Sequence, residues 1–245
     1  MGIDFSRIAD RYDETRGGAE RGARFAGELA PLLPPGQLLE LGVGTGVVAV
    51  ALGRPVVGVD IAGGMLRGAR ERLGPRVVRY DGRRLPFRDR SFDGAYAVWV
   101  MHLVDDQAGL FAEVRRVLKP GGRLVVAGIN QPPRDDVDRI LGPMFEALQG
   151  DRIGRDRPDR LAPLARSAGL EVVTVVPGAP FRDRMTGPAE AAKIERRDAA
   201  AFWDLDDARW REIVEPALAA LRALGDAEIE RVYQHDVILL ERKAG

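Results

Sequence analysis

The sequence predicts an α/β protein built on a mostly parallel sheet with helices on both faces. Three observations carry that expectation. Between residues 37 and 129, short β-branched runs alternate with helix-length amphipathic segments, the rhythm of repeated βαβ units. The first run ends in a glycine-rich turn, Glu40-Leu41-Gly42-Val43-Gly44-Thr45-Gly46, at the carboxyl end of a strand, where open α/β sheets bind ligands. The chain has 245 residues, 45% of them hydrophobic and 30% charged, enough to bury a core and unlike a disordered segment.

The elements follow in order. Residues 1–30 read as helical, with Ile8, Tyr12, Phe25 and Leu29 as apolar or aromatic positions. Leu38–Leu41 is strand one, Pro55–Asp60 strand two, and Arg76–Tyr80 strand three, each ending at a polar residue or glycine. Phe92–Val98 is strand four. The turn Lys119-Pro120-Gly121-Gly122 introduces strand five, Arg123–Ile129. Residues 134–157 form a charged excursion without an assigned element. Leu170–Val176 is strand six, and Val232–Glu241 closes the chain as a last strand.

Two amphipathic helices, 189–203 and 209–224, fall between the last two strands. Trp210, Ile213, Val214, Ala217, Leu218 and Leu221 follow three- and four-residue steps and should share a face, while Pro216 should kink the helix or start a new one. The expected organisation is one domain over 1–245: a helical cap at 1–30, a binding core at 31–180, a helical lid at 181–227 and a closing strand at 228–245.

Composition narrows the function. Lys plus Arg and Asp plus Glu each total 37, so no net basic field gathers a phosphate backbone, and nucleic acid is not the expected partner. The chain has no cysteine, which excludes disulfides, thiolate metal sites, iron–sulfur clusters and a cysteine nucleophile. No signal-peptide core opens the sequence, and no run approaches the roughly 18 apolar residues of a membrane span. The expected setting is cytoplasmic, with no membrane partner and no bound metal.

The glycine spacing speaks to the ligand. Dinucleotide loops read G-x-G-x-x-G; here the third glycine comes one residue early and Val47 stands where glycine is expected. No Gly-Lys-Ser or Gly-Lys-Thr follows, so a phosphate P-loop is excluded. Instead three carboxylates end three successive strands: Glu40, Asp60 and Asp81, the last followed by Gly82. S-adenosylmethionine carries a sulfonium and an ammonium and no phosphate, so carboxylates suit it. Asp60 is placed to accept both ribose hydroxyls, and an acceptor at Asp81 meets an adenine amino group, with Gly82 leaving room for the ring.

These segments resemble the class I S-adenosylmethionine-dependent methyltransferases. The residues that carry the resemblance are Leu39 to Gly46, Val59-Asp60, Tyr80-Asp81-Gly82 with Leu85-Pro86-Phe87, Ser91-Phe92-Asp93 and Val117 to Gly122, in family order over about residues 5–130. Within the family the chain looks like the small-molecule branch that includes ubiquinone and menaquinone biosynthesis methyltransferases. Its N-terminal pattern is matched by Phe5, Ala9, Tyr12 and Asp13, with Arg16 following.

The resemblance implies a Rossmann-like seven-stranded sheet of order 3-2-1-4-5-7-6 with strand seven antiparallel. It also implies S-adenosyl-L-methionine as cofactor. Tyr12 and Arg16 would lie over it; Gly42 and Gly44 would face its methionine part, Asp60 the ribose, and Ile61 and Met65 the adenine edge, with Glu40 and Gly46 also binding the cofactor. Asp81 and Gly82 would meet the adenine itself, and Val98 completes the set. The acceptor would be a small, partly apolar molecule chosen by the helices beyond residue 130.

His102, after strand four, is the candidate general base, beside the reading that it packs in its loop and no base is used. His235 reads as structural. Asp105 and Asp106 read as helix caps, and Trp99, Trp203 and Trp210 as packing residues or walls of an acceptor pocket. Two other functions stand beside methyl transfer: a protein of this fold that binds the cofactor without transferring the methyl group, and a nicotinamide-dependent oxidoreductase.

Overall fold

The computed structural model describes residues 5–80, 84–130 and 135–243. The chain divides into two compact units. The first comprises Met1–Ile129, Arg155–Gly178 and Asp236–Gly245, the second Asn130–Gly154 and Ala179–His235.

The first unit is organised by a sheet of strands β1 (Leu38–Leu41), β2 (Val56–Asp60), β3 (Val77–Arg79), β4 (Phe92–Val98), β5 (Leu118–Asn130), β6 (Leu170–Pro177) and β9 (His235–Arg242). Their order is 3-2-1-4-5-9-6, with β9 antiparallel to β6. This is the expected Rossmann-like topology. Neighbours β2, β1, β4 and β5 are parallel, with Leu41 level with Val59 and Ala97. The Lys119–Gly122 turn does not precede β5 but bulges within it: Phe92 pairs with Leu118, and pairing resumes at Gly94 with Arg123.

Alternation along each strand builds two cores. Leu39, Leu41, Ala95, Ala97, Leu124 and Val126 face α5 (Gln107–Val117) and α7 (Pro158–Ser167). Leu38, Tyr96, Val98, Val125 and Ala127 face α2 (Gly18–Leu29), α3 (Val47–Leu52) and α4 (Gly63–Leu73). The N-terminal residues form a 3₁₀ segment (Phe5–Arg11), α1 (Tyr12–Arg16) and α2, and Ile8, Phe25 and Leu29 are buried. Gly22 lets α2 press on α3, since a Cβ there would fall 2.5 Å from the Val47 carbonyl oxygen.

The second unit holds α6 (Asp136–Gln149), α8 (Gly187–Glu195), the single turn α9 (Asp207–Arg209), a π turn (Trp210–Val214) and α10 (Glu215–Ala223), with a ribbon of β7 (Phe181–Met185) and β8 (Ile229–Tyr233). Pro216 sits in the first turn of α10, where its missing N–H is harmless, and the π turn precedes it. Trp210, Ile213, Val214, Ala217, Leu218 and Leu221 share one core with Val137, Leu141 and Met144 of α6. The excursion at 134–157 is thus largely a helix, capped by the Asp135 side chain, which accepts from Asp138 N at 2.7 Å.

The expected closing strand at 228–245 needs a correction: it is two strands in two sheets. Ile229–Tyr233 is mostly part-exposed and pairs with β7, whereas Val237–Leu240 is buried on both faces as an interior strand must be.

Candidate active site

A cavity of about 420 Å³ opens in the first unit at the carboxyl ends of β1, β2 and β4. Of the residues singled out in the sequence, Tyr12, Arg16, Glu40, Gly42, Gly44, Asp60, Ile61, Met65, Val98 and His102 line it. Gly46 does not line the cavity. It adopts φ +85°, donates its N–H to the Val43 carbonyl at 2.8 Å, and sits where a Cβ would fall 3.4 Å from Ala69 Cα of α4. Its work is to turn the chain into α3 against α4. Asp81 and Gly82 lie outside the described residues.

The loop between β1 and α3 is held in place by Asp60. Its Oδ2 accepts from Gly44 N at 2.8 Å and its Oδ1 from Ala62 N at 2.9 Å, so the carboxylate at the end of β2 is a strut for the loop as well as a wall. Gly42 has φ +66°, and a Cβ there would strike Val100. Gly44 has φ +55°, yet a Cβ there would find no described atom within 4 Å, because it would project into open space.

Glu40 is 2% exposed and accepts from the Tyr96 hydroxyl at 3.0 Å. Burial, reinforced by the nearby Asp60 charge, pushes its carboxyl up to about 8, against the opposing pull of the Tyr96 hydrogen bond and the Arg21 guanidinium. Burial also pushes Tyr96 up, so it stays a neutral donor. Glu40 is therefore a buried acid short of a cationic partner.

Sequence reading missed Arg21, and the cavity wall also takes in the predicted Trp99. Arg21 lines the cavity, lies 4.3 Å over the Trp99 ring, and its buried Nε has no hydrogen-bond partner among the described residues. Its signal is the four-residue step to buried Phe25 on the same helix face. Trp99 adopts φ +57°, a left-handed conformation rare for an aromatic residue, and its ring occupies the place a Gly128 side chain would need.

Asp13 ties the N-terminal segment down: Thr45 Oγ1 donates to its Oδ1 at 2.5 Å and Arg72 Nη2 to its Oδ2 at 2.7 Å. Phe5, also in the wall, meets Tyr12 edge to face at 6.1 Å. The N-terminal segment thus forms one side of the cavity.

Beyond β4 the wall mixes the apolar Val100, Leu103, Val104 and Leu110 with His102, Asp105 and Asp106. Asp106 caps α5 through its Oδ1 and Gly109 N at 2.8 Å, and Asp105 stands 3.6 Å from Arg155. Of the other tryptophans, Trp203 donates to the Arg197 carbonyl at 3.0 Å and Trp210 packs against Phe202; both are packing residues of the second unit. His235 is buried at the start of β9, outside the cavity wall. Among the described residues no cluster of three or more His, Asp or Glu side chains is arranged to hold a metal.

The residues present fit S-adenosylmethionine. A carboxyl raised by burial and a guanidinium Nε without a partner suit an amino-acid zwitterion, the open side of Gly44 leaves it space, and Asp60 and Met65 offer a polar and an apolar wall for a nucleoside. When bound, the cofactor supplies an electrophilic methyl group on a sulfonium that leaves neutral. The protein's part is alignment and exclusion of water.

Comparison with known proteins agrees. A methyltransferase domain family matches residues 39–126, which span β1 to the middle of β5. The fold and the cavity are those of a class I S-adenosylmethionine-dependent methyltransferase, and the chain belongs to that family. Its similarity runs to the quinone branch. It is 35% identical over 197 residues to a ubiquinone/menaquinone biosynthesis C-methyltransferase of Desulfotalea psychrophila, covering 68% of this chain and 80% of the relative. It is 39% identical over 218 residues to a demethylmenaquinone methyltransferase of a Mycobacterium species, covering 85% and 86%. Among solved structures, an S-adenosylmethionine-dependent methyltransferase of Thermotoga maritima superposes with a TM-score of 0.59 at 25% identity, covering 98% of each chain. The enzyme is a methyltransferase, and its cofactor is S-adenosyl-L-methionine.

Proposed function

We propose that the enzyme methylates a ring carbon of a reduced quinone. The observation that carries this reading is the similarity to quinone C-methyltransferases, which spans more than four-fifths of both chains in the mycobacterial case. The cavity supports it: beyond the charged cofactor end Val100, Leu103, Val104 and Leu110 offer apolar surface to a flat ring, among the polar His102, Asp105 and Asp106. In this reading Asp60 holds the ribose, Ile61, Met65 and Val98 pack the nucleoside, and Gly42 and Gly44 admit the methionine part. Glu40 takes its ammonium and Arg21 its carboxylate, beneath Tyr12 and Arg16. Residues 181–227 act as a lid and select the acceptor. The protein works in the cytoplasm on a small molecule and without nucleic acid; among the described residues no helix is long and apolar enough to cross a membrane.

The test is incubation with labelled cofactor and a short-chain demethylnaphthohydroquinone, kept reduced, beside amine and carboxylate acceptors. Label transferred to a ring carbon is the expected result. Transfer to an amine or carboxylate with none to the hydroquinone refutes the assignment.

A further inference from the structure

His102 faces a second residue that the sequence did not point to. Its Nδ1 is buried, makes no hydrogen bond among the described residues, and lies 3.4 Å from Asp156 Oδ2 as the near polar group. Asp156 comes from the chain just before α7 and is 4% exposed, while the His102 ring is 30% exposed and borders the cavity. A buried carboxylate beside one nitrogen of a half-exposed imidazole is the arrangement that selects a tautomer.

The surrounding contacts make this a built feature. Gln107 Nε2 donates both to the Met101 carbonyl at 2.8 Å and to the Arg155 carbonyl at 3.1 Å, clamping the residues that precede His102 and Asp156. Arg155 faces Asp105, not Asp156, at 3.6 Å. The other nearby acid, Asp106, is occupied as the cap of α5. Asp156 has no comparable task in capping a helix, and its aspartate side chain is directed at His102.

We propose that Asp156 is a positioning residue that fixes His102 with its proton on Nδ1, leaving Nε2 bare as the proton acceptor for a hydroxylated aromatic substrate. This rests on the hydroquinone reading above for the identity of the acceptor, but not for the pairing itself. His102 Nε2 takes the hydroxyl proton, and the ring carbon activated by that loss forms its bond to the methyl group as the sulfur–methyl bond breaks toward sulfur. The proton on that carbon then passes to water as the ring regains aromaticity, and His102 returns its proton to the phenolate oxygen. One proton is released per methyl transferred, with no oxidant or reductant.

The test begins without any acceptor. With only two histidines in the chain, ¹⁵N-histidine spectra of the S-adenosylhomocysteine complex, assigned with a His235→Gln variant, report which nitrogen of His102 carries hydrogen. The expected result is an Nδ1–H tautomer in the wild type, lost in Asp156→Asn and restored in Asp156→Glu. With the short-chain hydroquinone, His102→Gln should lower kcat by about 10²–10⁴-fold, the usual contribution of a general base. Asp156→Asn should lose part of that activity and Asp156→Glu regain it, with the S-adenosylhomocysteine Kd within twofold of wild type in each.

An Nε2–H tautomer in the wild type, or the same tautomer in Asp156→Asn, overturns the pairing. A His102→Gln enzyme within threefold of wild type overturns the base. Wild type that transfers nothing to the hydroquinone overturns the acceptor reading alone, and the tautomer spectra then decide the pair.

Discussion

Glu40→Gln isolates the most unusual charge in the site. The wild-type side chain is buried, accepts from the neutral Tyr96 hydroxyl, and is held near 8, so at pH 7 about nine-tenths of the ligand-free enzyme carries the proton. An ammonium placed beside it favours the carboxylate. Binding of S-adenosylhomocysteine should therefore expel about 0.9 proton from Glu40 at pH 7, about 0.5 at pH 8 and about 0.1 at pH 9.

Any proton that the ligand's own amino group takes up on binding counts in the opposite sense. That contribution is common to wild type and Glu40→Gln, so the difference between the two reports Glu40 alone. Calorimetry at each pH in buffers of low and high ionisation enthalpy measures it. Affinity at pH 7 should fall by about 1.5–3 kcal/mol in the variant, the range for a lost hydrogen bond to a charged group.

The sign for stability follows from the same shift. The ligand-free fold keeps a proton that the unfolded chain has released, so the contribution of Glu40 is fully present below about 4.5 and is lost as pH rises through about 8. Equal proton release by wild type and Glu40→Gln across this range would refute the placement of the ammonium beside Glu40.

Three further outcomes are expected. Asp60→Ala removes the acceptor of both Gly44 N and Ala62 N, so S-adenosylhomocysteine binding should weaken by about 1.5–3 kcal/mol; unchanged calorimetric affinity in a folded variant would dismiss the role of Asp60 in the loop and at the ribose. Arg231 of β8 is buried with Asp135 at 3.0 Å, Asp138 and Glu190, so Arg231→Met should destabilise the protein by about 3–5 kcal/mol in denaturant titrations. Cofactor affinity of the folded fraction should hold, and an unchanged midpoint would mean that the acids find water or one another. Hydrogen exchange should slow in residues 5–16 and 181–227 when S-adenosylhomocysteine binds, and protection confined to the glycine loop would rule out a lid.

Much of this was legible because local rules sufficed. The strand that ends at Leu41, the run of glycines and the acid closing β2 are each short-range patterns with one mechanical reading, and strands one to four and six fall within a few residues of their expected bounds. Helix α6 was legible too, and was passed over for its charge: Asp135 caps it, and Val137, Ile140, Leu141, Met144, Phe145 and Leu148 follow helical steps into the core of the second unit. The division of the last strand was harder, because 228–245 carries strand-forming residues throughout and only pairing shows that Ile229–Tyr233 belongs with β7.

The sequence by itself determined the fold class, the loop that lines the cavity and the chemical character of the ligand, since hydrophobic period, glycine spacing and an acid at a strand end act over a few residues. Only the tertiary structure decided what those residues do to one another. Glu40 is an ordinary carboxylate until Tyr96 and the walls of the sheet take its water away. Arg21 and Trp99, 78 positions apart, become one stacked pair because Gly22 and Gly128 let backbone and ring approach. Asp156, 54 residues from His102, meets it because α5 and α7 pack on the same face of the sheet. Desolvation and distant pairing are properties of packing, which no local pattern of residues records.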